Sequence, residues 1–315
     1  MDRKQEIIIQ THENGLILLP WIAARYTYLS MEKWAQKIND ERIKINNCKI
    51  DPETVLCKGD IITYYPEPVI EPHINRDYNA VYEDSDLLVI NKPPDLPCHP
   101  GGIYFENTLW YILKQKYKYI SLVNRLDRET SGILLIAKNK ESASFYFSKM
   151  REREIEKEYL VLVHGLLKDD IDARGWLIKD SNSKIRKKRK FIRDVNAVQE
   201  ERAGDPEREF SHSSFTTIKY TDKYSLLKCK IFTGRTHQIR ATICSLGYPV
   251  VGDKIYGLDD SLFLKFINNT ITIDEWTNLV ISNQALHSFK TTIPMVNGEK
   301  KTFTSSPPDY WPIII

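Results

Sequence analysis

The chain has no run approaching the ~18 to 20 consecutive apolar residues that cross a bilayer, so it offers no membrane-spanning helix. Cysteine is scarce: Cys48, Cys57, Cys98, Cys229 and Cys244 are scattered, odd in number and never spaced as CxxC. That argues against a disulfide framework or a zinc site, and for reduced thiols in a reducing compartment. Repeats and low-complexity tracts are missing. An excess of one charge is missing too, since 45 Lys and Arg face 42 Asp and Glu, a formal net charge of +3. Affinity for a polyanion must therefore come from local patches. The opening residues, Met1 to Gly15, are too polar and acidic for a signal or transit peptide, so a cytoplasmic protein is expected.

What remains is ordinary: 315 residues, 42% hydrophobic and 28% charged, enough for one large core and a smaller satellite domain. Residues 1–12 read as a polar tail. Ser30 can cap a helix with Glu32 in its first turn and with Met31, Trp34 and Ile38 on one face. Short β-like pieces follow at Arg42 to Ile45 and Ile61 to Tyr65. Pro66, Pro68 and Pro72 then make a stiff linker. The expected domains are 13–68 and 69–315.

Beyond the linker, strands are predicted at Leu87 to Ile90, Ile133 to Ala137 and Glu158 to Val163, and a helix at Glu141 to Arg151. Phe215 to Tyr220 and Leu226 to Phe232 flank Thr221-Asp222-Lys223 as a hairpin. Thr236 can cap a helix carrying Ile239, Ile243 and Leu246, closed by Gly247. Strands outnumber helices and hairpins dominate. The expected fold class is α+β, with a mixed, mostly antiparallel sheet and a small N-terminal α/β domain.

Two segments carry chemistry. Asn124-Arg125-Leu126-Asp127-Arg128-Glu129-Thr130-Ser131-Gly132 sets a carboxylate in a loop beside arginines, at the entrance of an apolar strand. This can hold an ionised nucleophile rigidly, or it can be a surface Asp–Arg ion pair. Thr233-Gly234-Arg235-Thr236-His237-Gln238-Ile239-Arg240 puts basic groups on a helix start, where an arginine can pair with a carboxylate and keep its pKa low. The same helix start could instead bind phosphate or be merely solvated.

Taken in order, the motifs resemble the RluA-type family of RNA pseudouridine synthases. They run from Leu88-Val89-Ile90-Asn91-Lys92-Pro93 through His99-Pro100-Gly101, Asn107-Thr108-Leu109 and the Arg125-Leu126-Asp127 segment. Lys157-Glu158-Tyr159 with Gly165, Thr233 to Arg240, Gly247 to Gly257 and Leu286-His287 follow, so the likeness spans about residues 78 to 310. The resemblance implies isomerisation of uridine to pseudouridine within structured RNA, with ribosomal RNA slightly favoured over transfer RNA. Asp127 would be the essential carboxylate. Arg125 would enter the RNA stack where the flipped uridine was. Tyr159 would pack on the uracil and help remove the carbon 5 proton, and Arg240 would pair with Asp127. The reaction breaks a glycosidic bond, turns the base and forms a carbon–carbon bond to the same sugar. Its electrons balance without redox, so no cofactor and no metal is expected. Asp127 could attack the anomeric carbon or remove its neighbouring proton. The sequence departs from the family pattern at Asn124, commonly His, and at Ala241-Thr242, usually Val-His.

RNA contacts are expected from Arg125, Arg235 and His237. Further contacts are expected from the basic run Lys184, Arg186, Lys187, Lys188, Arg189 and Lys190, which could otherwise be a solvated loop or a nuclear-localisation-like run. The N-terminal piece around Trp34, Arg42 to Asn47 and Lys58-Gly59-Asp60-Ile61 weakly resembles a small RNA-binding domain of ribosomal small-subunit proteins. It lacks the glycine and the Arg-rich helix start, and an unrelated cap is the alternative. RNA is the expected partner, with no membrane, and a monomer is expected. The rival functions are a non-catalytic RNA-binding protein and a metal-dependent RNA hydrolase. The first would lack Asp127, Tyr159 or Arg240, and the second would show clustered ligands.

Overall fold

The computed structural model describes residues 4–27, 29–67, 70–198 and 208–313. Its chain divides into two compact units, Met1–Ile70 and Glu71–Ile315. Pro68 lies outside the described residues.

The first unit contains β1 (Gln5–Ile8), α1 (Leu18–Arg25), α2 (Met31–Asn39), β2 (Ile43–Ile45) and β3 (Ile61–Tyr64). The strands form an antiparallel sheet in the order β1-β3-β2. The segment expected to be a polar tail is therefore an edge strand that leads into the buried Ile9. Charged neighbours had masked its run of β-branched residues. In α2 the Ser30 hydroxyl accepts from the Lys33 backbone N–H, and Trp34 and Ile38 are buried while Met31 is exposed. Trp34 meets Tyr64 edge-on at 5.6 Å between ring centroids. Helix α1 accommodates Pro20 in its first turn, where a missing N–H breaks no bond.

The second unit is built on one large sheet. Its strands are β4 (Asn79–Glu83), β5 (Leu87–Lys92), β6 (Ser121–Leu122), β7 (Ser131–Ala137), β8 (Glu156–His164), β9 (Ile171–Lys179) and β10 (Arg189–Arg193). Strands β11 (Arg208–Tyr220), β12 (Tyr224–Ile231), β13 (Leu286–Pro294) and β14 (Lys300–Thr304) complete it. They run in the order β10-β9-β11-β12-β8-β13-β7-β5-β4, with β14 added to β13 and β6 to β7. Each ladder is antiparallel except β13 with β7, so the sheet is mixed and mostly antiparallel. The helices that matter below are α3 (Leu109–Lys114), α4 (Lys140–Arg151) and α5 (Gln238–Ser245).

Continuous apolar runs form the central strands because both faces of the sheet are covered. Leu88 and Ile90 enter one core while Leu87 and Val89 enter the other. Leu134 and Ile136 are divided from Ile133 and Leu135 in the same way. The short parallel contact pairs His287 with Ser131 and Ser288 with Gly132. Gly132 has φ +109°, and a Cβ there would lie 2.3 Å from the Ser288 carbonyl oxygen, so only glycine lets β7 approach β13 so closely. The loop carrying Asp127 opens directly onto this point.

The structure bears on the alternative reading of the basic run and corrects the expected cap of the helix after Gly234. Arg189 and Lys190 belong to strand β10, and Ile185 is buried, so the run is not one uniform solvated loop. Helix α5 is capped not by Thr236 but by His237, which takes a left-handed backbone (φ 57°) and makes no side-chain cap bond.

Candidate active site

The loop between β6 and β7 is pinned from below. Lys92, fully buried, donates to the carbonyls of Pro93, Leu96 and Arg128. The Cys98 thiol donates to the Leu126 carbonyl at 3.2 Å. Thr130 N–H donates to the Asp127 carbonyl, and Asn124 Oδ1 accepts from Leu135 N–H at 2.9 Å. Asn124 thus anchors the loop to β7 even though it departs from the family's usual residue.

Asp127 sits at the top of this loop with a third of its side chain open to solvent. Its partner is not an adjacent arginine. Arg128 is engaged with Glu129 and Asp95, whereas Arg240 Nη1, on α5, donates to Asp127 Oδ2 at 2.7 Å. Arg240 is 5% exposed and its remaining donors are locked: Nε and Nη2 bind the two oxygens of Asp253 at 2.6 and 2.8 Å. Asp253 is fully buried and also accepts from the backbone N–H groups of Ile255 and Tyr256. Its turn closes on Gly257, where a Cβ would lie 2.1 Å from the Asp253 carbonyl oxygen. The result is a chain of charges, Asp253–Arg240–Asp127, in which only the last carboxylate reaches the open cavity.

The electrostatics follow from that order. Burial alone would raise the Asp127 carboxyl. The Arg240 guanidinium, helped by His237 and by hydrogen bonds, overcomes this and brings it down to about 2. Burial likewise opposes the charge on Arg240, but Asp253 and Asp127 together hold it protonated beyond the ordinary arginine value. Burial, then the nearby Arg240 charge, pushes His237 down to about 4, so its ring is neutral near pH 7. His237 Nδ1 is 3.0 Å from the Tyr256 hydroxyl, and Nε2 lies 4.0 Å from Asp127 Oδ1.

A cavity of about 590 Å³ surrounds this carboxylate, lined among others by Arg125, Asp127, Tyr159, Arg235, His237 and Arg240. Tyr159 is 6% exposed at the centre of the sheet, opposite Cys229 on β12 and Ser288 on β13. Burial raises its phenol well above the usual range, so the hydroxyl stays protonated. Arg125 is exposed at the rim. Of the basic run, Lys184, Arg186, Lys187 and Lys190 are exposed, with Lys187 over the Phe263 ring at 4.6 Å. Lys188 is instead tied to Asp260 at 2.7 Å, and Arg189 faces Glu209 at 3.7 Å. At the start of α5 the Gln238 side chain ties the preceding loop: its Oε1 accepts from Thr233 Oγ1 and Arg235 N–H, and its amide donates to the His212 carbonyl and Ser213 Oγ.

The RNA pseudouridylate synthase family is matched over residues 86–245, half of the chain. The chain belongs to this family.

Two relatives give the range. The mitochondrial tRNA pseudouridine(32) synthase of Saccharomyces cerevisiae is 32% identical over 73% of this chain, which spans only 48% of that protein's length. The ribosomal large subunit pseudouridine synthase C of Buchnera aphidicola from Acyrthosiphon pisum is 34% identical over 71% of both chains. The structure of human RNA pseudouridylate synthase domain containing 1 superposes with a TM-score of 0.56 at 25% identity, covering 76% of this chain and 86% of that one.

Within this family member, sequence reasoning missed three groups that the geometry brings to the site. The spacing places Asp253 and Tyr256 only within the Gly247 to Gly257 motif, and Lys157 only beside Tyr159. Their signal was present in the motifs, but burial and partners are not legible from spacing. Among the described residues, no three His, Cys, Asp or Glu side chains are grouped as around a metal ion, and no helix is long and apolar enough to cross a membrane.

Proposed function

We propose that this chain isomerises uridine to pseudouridine in structured RNA, with Asp127 as the catalytic carboxylate. The observation that carries the reading is the buried Asp253–Arg240 pair presenting one ionised, partly open carboxylate to a nucleoside-sized cavity. An ionised Asp127 can attack the anomeric carbon as uracil leaves, or take the neighbouring proton. Either route returns the same atoms as a carbon–carbon glycoside, and neither needs an electron carrier. Arg240 holds Asp127 ionised and aimed. Tyr159 offers an aromatic face to the extruded base, and Arg125 is placed to fill the gap in the stack, which offsets the few kcal/mol of base extrusion. As a neutral ring, His237 contributes hydrogen bonding beside Asp127 and not a cation for phosphate. Lys184, Arg186 and Lys190 remain the members of the basic run best placed for RNA phosphates, with Lys187 and Arg235 nearer the cavity.

Residues 13–68 are read as a small RNA-binding module that selects the substrate, and residues 69–315 as the catalytic domain. We take ribosomal RNA as the first substrate to test, ahead of transfer RNA; the two relatives named above act by title on one each. A monomer in the cytoplasm is inferred, in keeping with the free state of all five cysteines.

The experiment is to map pseudouridine in cellular RNA with and without the gene, and then to restore the gene as wild type or as Asp127→Asn. The nearly isosteric change should fail to restore the lost pseudouridines while keeping RNA binding within a few-fold. Substantial turnover by Asp127→Asn would refute the assignment.

A further inference from the structure

The synthase reading leaves one charged group at the cavity without a task. Lys157 lies two residues before Tyr159 on β8, and the period of two puts both side chains on the same face of the strand. It is 7% exposed. Among the described residues its ammonium has neither a hydrogen-bond acceptor nor a counter-ion. The acids that flank it are engaged elsewhere, Glu156 with Lys230 and Glu158 with Lys290.

The contrast with Lys92 is instructive. That more deeply buried lysine meets three carbonyl oxygens, so this fold does satisfy an ammonium it uses structurally. Lys157 has no protein acceptor among the described residues and lines open space instead, and burial depresses it, like Lys92, to about 8. An unpaired buried cation is unfavourable in the free protein and persists only where something else retains it.

Lys157 lines two spaces at once. One is the Asp127 cavity, and the other is an adjoining groove of about 430 Å³ that does not include Asp127 or Tyr159. Arg151, Arg153, Lys230 and Arg235 also line the groove, together with Glu156, which is paired with Lys230. Passing along β8 from Tyr159 to Lys157, roughly 6.7 Å, thus leads from the base-binding cavity into a cationic groove.

We propose that this groove receives the nucleotide next to the target uridine, and that Lys157, at the junction, binds the phosphate linking the two. The inference rests on the RNA-modifying reading above and adds to it a subsite for a flanking nucleotide. On binding, the phosphate supplies the counter-charge that the free protein withholds. Arg235, shared by both spaces, lies on the same path.

The test uses the full chain and a single-stranded octauridylate as probe, with affinity measured across salt concentrations. Lys157→Met keeps the length of the side chain and removes the charge. It should weaken binding about tenfold at low salt and reduce the salt slope by ~0.7, the value for one single-strand phosphate. Lys157→Arg should retain the slope. The melting temperature separates this from a structural role: Lys157→Met should melt at or above wild type, because an unpaired buried charge has been removed. A fall in melting temperature with both variants, or an unchanged slope in Lys157→Met, overturns the proposal. Unchanged slope with slower isomerisation at saturating RNA would mean that the lysine serves the base, and this too overturns it. Binding is read without turnover. A chain that shows the expected slopes yet makes no pseudouridine would therefore refute the activity and leave the groove standing.

Discussion

The charge order at the site makes a sharp prediction about pH. Bringing an aspartate from 3.8 to about 2 corresponds to roughly 2.4 kcal/mol of preference for the ionised form. This is an upper figure, because a third of the side chain meets solvent and screening reduces it. Removing Arg240 alone would leave Asp253 buried and uncompensated, at a cost of about 3 to 5 kcal/mol. The cleaner perturbation is the double change Arg240→Met with Asp253→Asn, since Asn Oδ1 can still accept from the Ile255 and Tyr256 N–H groups. With the guanidinium gone, burial becomes the dominant influence and pushes Asp127 above the ordinary aspartate value. Single-turnover isomerisation of a stem-loop carrying the mapped site would be followed from pH 4 to 8. The wild type should show no acid limb in this range, because its carboxylate protonates only near pH 2. The double variant, slower throughout, should also lose activity as pH falls toward 4, because a carboxyl raised above the ordinary aspartate value protonates in that range. A variant profile as flat as the wild type's would refute the argument that Arg240 keeps Asp127 ionised. The stability term has the same sign: Asp127 is depressed in the folded state, so its pairing stabilises above about pH 4 and is lost as pH falls toward 2.

Three further outcomes are expected. Tyr159→Phe keeps the ring and loses the hydroxyl, so RNA affinity should hold while isomerisation slows by about tenfold or more. Equal rates would reduce Tyr159 to a platform. Gly132→Ala should lower stability by about 2 to 5 kcal/mol, from left-handed backbone strain and collision with the Ser288 carbonyl. A melting temperature within a degree of wild type would contradict the close approach of β7 to β13. Activity should survive excess EDTA when the RNA is kept folded in monovalent salt. A loss reversed by zinc or manganese, but not by refolding the RNA, would favour the hydrolase rival.

Much of the fold was legible where local pattern and burial agree. The runs at Leu87 and Ile133 read as strands because an apolar stretch of that length, bounded by polar residues, fits a sheet covered on both faces. The Ser30 cap and the Trp34–Ile38 stripe located α2 for similarly local reasons. Failures came where tertiary context outweighed local signal. Gln5–Ile8 looked like a tail because its β-branched residues are flanked by charge, and its strand exists only through pairing with Ile61–Tyr64. Strand β10 begins inside a basic run, which hid it although its central residue, Phe191, is buried.

The site shows the same limit more clearly. Asp127 and Arg240 could be named from motifs, but 113 residues separate them in the chain, and spacing cannot report a contact of that kind. Their pairing depends on a third group, Asp253, which is fully buried, does not line the Asp127 cavity and binds Arg240 through both oxygens. A guanidinium with two carboxylate partners can satisfy one completely, with two donors, and spend a single donor on the other. The completely satisfied carboxylate is the buried one. The singly bonded carboxylate keeps lone pairs free in the cavity, which is what an attacking or proton-removing oxygen requires. Burial thus separates two chemically identical side chains into a holder and a reactive group.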